Sequence, residues 1–107
     1  MNTMASTSEP LTATEQVVTL ASADTEFSIT LPVGTKYFSI QCRTAVACRF
    51  SFTTGKVATP TDPYSTLKSG QSYSSPEKFS SSGARIIYFA TSDAGSPVIE
   101  CLSWQAP

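Results

Sequence analysis

With 107 residues, a net charge of −1 and no histidine, the chain is sized for one domain around one core. It lacks the basic runs that counterion-driven nucleic-acid binding needs, and no apolar run approaches the ~20 residues of a membrane-spanning helix. Charged residues reach only 14% against an ordinary ~25%, and a surface so poor in Lys and Glu points to coverage by neighbours, because interfaces are depleted in those residues.

Residues 1–16, "MNTMASTSEPLTATEQ", read as an extended polar N-terminal arm with too little apolar surface for a core of its own. The stretch has no basic start and no apolar centre, so no secretory signal is expected. An arm of this composition should order only against something outside its own domain, which points to an assembly. The folded domain is then expected over 17–107.

Within that domain, short strands alternate with turn signals, the pattern of an all-β sandwich or barrel. The abundance of Thr and the ten Phe and Tyr residues suit pleated strands. "QVVTLA" is the first candidate strand. "EFSITLP" sets Phe27, Ile29 and Leu31 on one face and closes at Pro32, which cannot donate to a ladder. "VGT" is a turn. "KYFSIQC" follows, with Phe38, Ile40 and Cys42 as its core face. "VACRFSF" aligns Val46, Cys48, Phe50 and Phe52. These two strands make either a hairpin or an arch between sheets. "TTGKVATPTDPYST" is a long loop broken by Gly55, Pro60 and Pro63. "TLKSGQSYS" supplies two short extended pieces around Gly70, and a short edge strand is expected near Phe79. Helix content should be small, because no apolar helical period exceeds about two turns.

The last stretch, "RIIYFATSDAGSPVIECLSW", reads as a terminal hairpin. Ile86, Tyr88 and Ala90 oppose Ile87, Phe89 and Thr91, while Val98, Glu100, Leu102 and Trp104 oppose Ile99, Cys101 and Ser103. Neither strand has a clean polar face. Burying one large apolar side chain is worth about 1.5–3 kcal/mol, so the second face requires cover from a second layer, from loops or from another subunit. Tyr88, Phe89 and Trp104, together with Tyr64 and Tyr73 in the preceding segments, are therefore the candidate subunit-interface residues.

Chemistry finds little footing in these residue types. Without histidine there is no Ser-His-Asp or Cys-His constellation. Glu100 sits inside an apolar strand with no second acid nearby; an edge position or an ion pair with Arg49 or Arg85 accounts for it better than general acid–base work. "TTGK" and "KSGQS" fall short of a phosphate-binding loop and read as turns. The lone Asp residues of "TPTDPYS" and "TSDAGS" cannot make a calcium loop. Three cysteines, an odd number with no C-x-x-C pair, argue against a disulfide framework and against zinc. They read as reduced, buried thiols, with a Cys42–Cys48 bridge left open. No enzyme, no cofactor and no metal site is expected. Tyr37, Tyr64, Tyr73 and Trp104 remain as possible stacking surfaces for sugars, with Tyr64 at a loop tip.

Three segments in order carry a resemblance: "CRFSFTTG", a strand of alternating aromatics ending in a Gly turn; "YSTLKSGQSYS", a Leu, then a Gly, then a Tyr; and "IIYFATSDAGSPVIECLSW", a strand with a central Tyr, a small-residue turn, then Val-Ile-Glu and a final Trp. This succession, over roughly Lys36 to Trp104, is similar to that of small all-β virion proteins of tailed bacteriophages. The cysteines and the Pro-rich loop lie outside the pattern. The resemblance implies a β-sandwich or jelly-roll, which the residues themselves fill in as an antiparallel fold of about seven to eight short strands with an extended N-terminal arm. It further implies a decoration or cement subunit without chemistry, partnered by the major capsid protein or other virion proteins and assembled as a homotrimer. Its place would be the virion, put together in the host cytoplasm, with no nucleic-acid or membrane partner. A tail, collar or fibre accessory role is the nearest alternative, and a carbohydrate-binding or adhesion module using Tyr64, Tyr73 or Trp104 is the alternative of another class.

Overall fold

The computed structural model describes residues 11–76, 83 and 85–106. Eight strands follow one another without an intervening helix among them: β1 (Thr12–Thr19), β2 (Phe27–Leu31), β3 (Thr35–Cys42), β4 (Cys48–Ser51), β5 (Ser65–Leu67), β6 (Ser72–Ser74), β7 (Arg85–Ala90) and β8 (Val98–Gln105). All pairings are antiparallel, and they build two four-stranded sheets ordered β1-β8-β3-β6 and β2-β7-β4-β5. Every connection except β4–β5 carries the chain from one sheet to the other. This is the topology of a jelly roll.

The core is one apolar layer between the sheets. Ile29 and Leu31 of β2, Cys48 and Phe50 of β4, Leu67 of β5 and Ile87 and Phe89 of β7 face Phe38 and Ile40 of β3 and Ile99 and Cys101 of β8. Each set obeys the period of two that alternation imposes on a pleated strand. Phe89 is the largest fully enclosed side chain, at 0% exposure. Tyr73 packs its ring against Phe38 and Phe50 at centroid distances of 6.0 and 5.4 Å.

Strand β3 departs from strict alternation at its start. Thr35 pairs with Gln105, but Tyr37 pairs with Trp104, so the register shifts between them as a β-bulge. The extra residue lets Thr35 turn inward while Tyr37 turns out. Thr35 then joins a buried polar cluster at that end of the sheet. The Gln105 side-chain amide donates to Thr35 Oγ1 (3.1 Å) and Ser103 Oγ (2.8 Å). Its carbonyl accepts from Thr14 Oγ1 (2.6 Å), and Thr35 Oγ1 donates to the Pro32 carbonyl (2.7 Å). With its polar atoms paired, the cluster avoids the penalty of buried unpaired groups.

Two expectations need correction. β7 and β8 do not form a hairpin: β7 pairs with β2 and β4, and β8 pairs with β1 and β3. The "SDAGSP" segment is a crossover between sheets. Its ends are tied to other loops, with Leu20 N donating to the Pro97 carbonyl (2.8 Å) and Asp24 N to the Thr91 carbonyl (2.7 Å). β3 and β4 likewise form an arch. The second correction concerns residues 12–16, read as arm, which are the first half of β1. Their inward side chains are polar, so no apolar period marks them. Thr14 instead bonds Gln105, and Gln16 Nε2 reaches across to the Thr30 carbonyl of the other sheet (2.9 Å). The rest of the arm, residues 1–10, and the expected strand near Phe79 lie outside the described residues.

The contrast between the two aromatic residues of the last strands is measurable. Phe89→Ala should cost about 3–5 kcal/mol in urea unfolding. Trp104→Ala, at a site 39% exposed, should cost roughly 1 kcal/mol or less. Equal losses would place Trp104 in the core and contradict this arrangement.

Candidate functional site

The outer faces of the two sheets differ. On the β2-β7-β4-β5 sheet, the β4–β5 loop of residues 52–64 folds back over the strands. Arg49 points outward from β4 and is held beneath the loop, with Nε donating to the Val57 carbonyl (2.7 Å) and Nη2 to the Ala58 carbonyl (3.3 Å) and Asp24 Oδ1 (3.0 Å). Ser51 Oγ donates to the Pro63 carbonyl (3.0 Å). The Glu26 carboxylate fastens the loop's first turn, accepting from Gly55 N (2.8 Å) and Thr54 Oγ1 (2.7 Å). Gly55 takes φ of 84° there, a left-handed conformation that a side chain would resist. Val57 and Ala90 are fully buried as a result. The second face of β7 is thus covered at Ala90 and half-covered at Tyr88, while Ile86 stays exposed.

The outer face of the β1-β8-β3-β6 sheet has no such cover among the described residues. Cross-strand registry sets its side chains in rows. Ala13, Trp104 and Tyr37 form one row, Glu15, Leu102, Ser39 and Ser74 the next, and Val17, Glu100, Gln41 and Ser72 the third. Val17 is 60% exposed, Tyr37 44% and Trp104 39%. A depression of about 490 Å³ lies among Glu15, Val17, Gln41, Arg43, Glu100 and Leu102. A smaller one, about 260 Å³, adjoins it between Tyr37, Ser39, Ser74, Leu102 and Trp104. The face is therefore an aromatic end running into a polar middle.

Glu100 is the anchor of that middle. Gln41 Nε2 donates to its Oε1 (2.8 Å) and Arg43 Nε to its Oε2 (2.8 Å). These bonds, Gln41's first and Arg43's second, hold its carboxyl below the ordinary value of 4.5. The expected ion pair is real in kind but not in partner: Arg43, the residue that follows the end of β3, replaces Arg49 and Arg85. Arg49 is held under the loop, and the Arg85 guanidinium lies over the Phe52 ring at 5.8 Å.

The five candidate interface residues separate accordingly. Trp104 is on the open face. Tyr88 and Tyr64 are half-buried on the other sheet's side, Tyr64 in a shallow depression of about 210 Å³ with Phe52 and Pro63. Tyr73 is half-buried by its packing on Phe38 and Phe50. Phe89 is no surface residue at all; alternation places it inward, where Phe27 and Phe50 are its lateral partners on β2 and β4. Val17, Tyr37, Gln41 and Arg43 complete the open face, and only the pairing register brings them to Trp104 and Glu100. Among the described residues no three His, Cys, Asp or Glu side chains gather as a metal site. The three thiols are free, with Cys42 Sγ and Cys48 Sγ 3.7 Å apart.

The Glu100 bonds give a pH signature with a definite sign. A carboxyl depressed in the folded state stabilises the fold above its ordinary value and loses that contribution as pH falls. Urea midpoints measured on acidification below 4.5 should therefore fall less steeply in Glu100→Gln than in the parent. Parallel curves would show that this carboxylate carries no such linkage.

No family model matches the chain, and no curated protein matches it. Among solved structures it is similar to a de novo designed double-stranded β-helix determined by solution NMR, with 19% identity and a TM-score of 0.54 over 86% of this chain and 99% of that one. At that identity the likeness concerns the fold alone, and it agrees with the jelly-roll strand order.

Proposed function

We propose that this protein is a non-enzymatic structural subunit of a tailed-phage virion, a decoration or cement protein that binds the capsid through the open face of its β1-β8-β3-β6 sheet. The observation that carries this reading is the asymmetry of the two outer faces. One is partly closed by the chain's own loop, with Ile86 and Phe52 left exposed, while the other, without such a loop among the described residues, presents Val17, Tyr37 and Trp104, with Leu102 half-buried between them, around the Glu100–Arg43 pair. Large exposed aromatics with few free charges are the composition of protein contact surfaces. The order of sequence segments similar to phage virion proteins supports the same assignment. The major capsid protein is the partner, the N-terminal arm adds contact area over neighbouring subunits, and a homotrimer is the expected assembly.

Purified protein mixed with capsid shells should co-sediment with them, and light scattering of the protein alone should give an oligomer. Val17→Lys, which meets Glu100 across the strands with an opposite charge, and Trp104→Ala should each weaken shell binding about tenfold or more at a stability cost of roughly 1 kcal/mol or less. A monomer that fails to bind shells at micromolar concentration would overturn the assignment. Attachment to tails, collars or fibres instead would keep the virion role and move its location.

A second reading has its own observation. Tyr37 and Trp104 are cross-strand neighbours, and one row of side chains, Leu102 and Ser39, separates them from the Gln41–Glu100 pair and Arg43. An aromatic pair at one end of a face and hydrogen-bonding groups two rows along it suit a glycan of more than one ring, apolar on its faces and polar at its rim. Tyr73 is unsuited because its ring is packed on the core, so the platform is Tyr37 and Trp104. A glycan array should return hits that Trp104→Ala abolishes; an array without hits removes this reading.

A further inference from the structure

The β3–β4 arch brings two thiols together. Cys42 is the last residue of β3 in one sheet, and Cys48 is the first residue of β4 in the other. The Cys48 thiol donates to Cys42 Sγ at 3.7 Å. The approach is fixed by the arch itself, not by chance side-chain positions. Arg43 N donates to the Val98 carbonyl (2.8 Å), Val46 N to the Thr44 carbonyl (2.8 Å), and Thr91 Oγ1 to the Ala47 carbonyl (3.0 Å). The thiols differ in access: Cys42 is half-buried and Cys48 is 1% exposed. Cys101, the third, is buried on β8.

We propose that Cys42 and Cys48 are a redox-active pair that closes to a disulfide in an oxidising medium, stapling the two sheets together across residues 43–47. The sulfurs need to close by only about 1.7 Å to reach bonding distance. The co-reactant is a low-molecular-weight disulfide. Cys42, the thiol that solvent reaches, attacks one of its sulfurs. A mixed disulfide on Cys42 forms and one small thiol leaves, carrying the Cys42 proton. Cys48 then attacks the Cys42 sulfur, the second small thiol leaves with the Cys48 proton, and the protein disulfide remains. Two protein thiols are oxidised and one small disulfide is reduced to two thiols.

The order of attack follows from the surroundings. Burial first, and the neighbouring Cys42 second, push the Cys48 thiol up to about 12. Cys48 therefore stays protonated while Cys42 reacts first, and gives up its proton only in the second step, as its sulfur attacks the mixed disulfide held against it. Burial likewise pushes Cys101 up to about 11, and with no facing thiol it remains a bystander. Such a pair stays reduced in a glutathione-reduced cytosol and closes outside it.

The folded chain should be incubated in glutathione buffers of graded oxidised-to-reduced ratio, then acid-quenched, unfolded, alkylated and weighed intact. In oxidising buffer one alkylatable thiol should remain of three, with the mass of two hydrogen atoms lost before alkylation and no change in oligomeric state. Peptide mapping should give Cys42–Cys48. The thermal midpoint should rise by roughly 10 °C and return on adding dithiothreitol. Cys48→Ala should trap glutathione on Cys42, and Cys42→Ser should give neither adduct nor bridge. Three titratable thiols in the folded chain under a buffer that oxidises the urea-unfolded chain would overturn the proposal. So would a bridge through Cys101 or between chains.

Discussion

The structure depends on a single constraint: one apolar layer must serve two sheets at once. Each strand has one face to bury, and the chain is too short for a second core. Alternating successive strands between sheets meets this constraint, because each crossover carries the chain across the edge of the layer it has just covered. β7 and β8 show the consequence. Had they paired with each other, Ile87 and Phe89 would lie in the same sheet as Ile99 and Cys101, side by side. Crossing over instead puts them on opposite walls of the core, where all four are nearly inaccessible to water. The β4–β5 connection stays within one sheet, and its long loop is the segment free to fold over that sheet's outside.

That loop creates the asymmetry on which the functional reading stands. Arg49 is the pin: an outward cation on a central strand would ordinarily remain in water, but here it donates to two loop carbonyls and an aspartate and is largely removed from solvent. A guanidinium suits this task because its planar fork satisfies several acceptors together. Among the described residues the other sheet receives no comparable strap. Its outward residues settle among themselves, through the Gln41–Glu100–Arg43 bonds, and leave their apolar neighbours available.

Much of this was legible in the sequence, and the limit has a physical cause. Alternation fixes which side chains share a face, so Ile29/Leu31, Phe38/Ile40, Cys48/Phe50, Ile87/Phe89 and Ile99/Cys101 group directly, but in β7 and β8, apolar on both sides, it does not say which group turns inward, and Phe89, expected at a subunit interface, lies in the core. Alternation does not say which strand lies beside which. A hairpin and a crossover demand the same pattern from β7 and β8, which is why the terminal segment resembled a hairpin with an unexplained second face. Thr35 was hidden by a bulge, which no periodicity announces. The start of β1 was hidden because its inward Thr14 and Gln16 are held by hydrogen bonds where an apolar period would be sought. Arg43 could not be matched to Glu100 because their proximity arises from the β3–β8 register, 57 residues apart in the chain.

The same register makes the open face a stiff surface. Trp104 and Tyr37 stand on β8 and β3, the two central strands of their sheet. Their chain neighbours Ser103, Gln105 and Thr35 point inward, locked in the buried polar cluster. The exposed aromatics of this face are therefore carried on backbone whose position is set by hydrogen bonds on the opposite side. Ordering such a surface costs little on binding, because most of its backbone freedom is already lost in folding. Glu100 is held in the same way from two directions, so its charge is met before any partner arrives, and covering the pair costs less than covering a lone carboxylate. A face prepared like this favours a partner of fixed shape, such as a folded protein lattice or a rigid glycan chain, over a flexible peptide that would bring its own ordering cost.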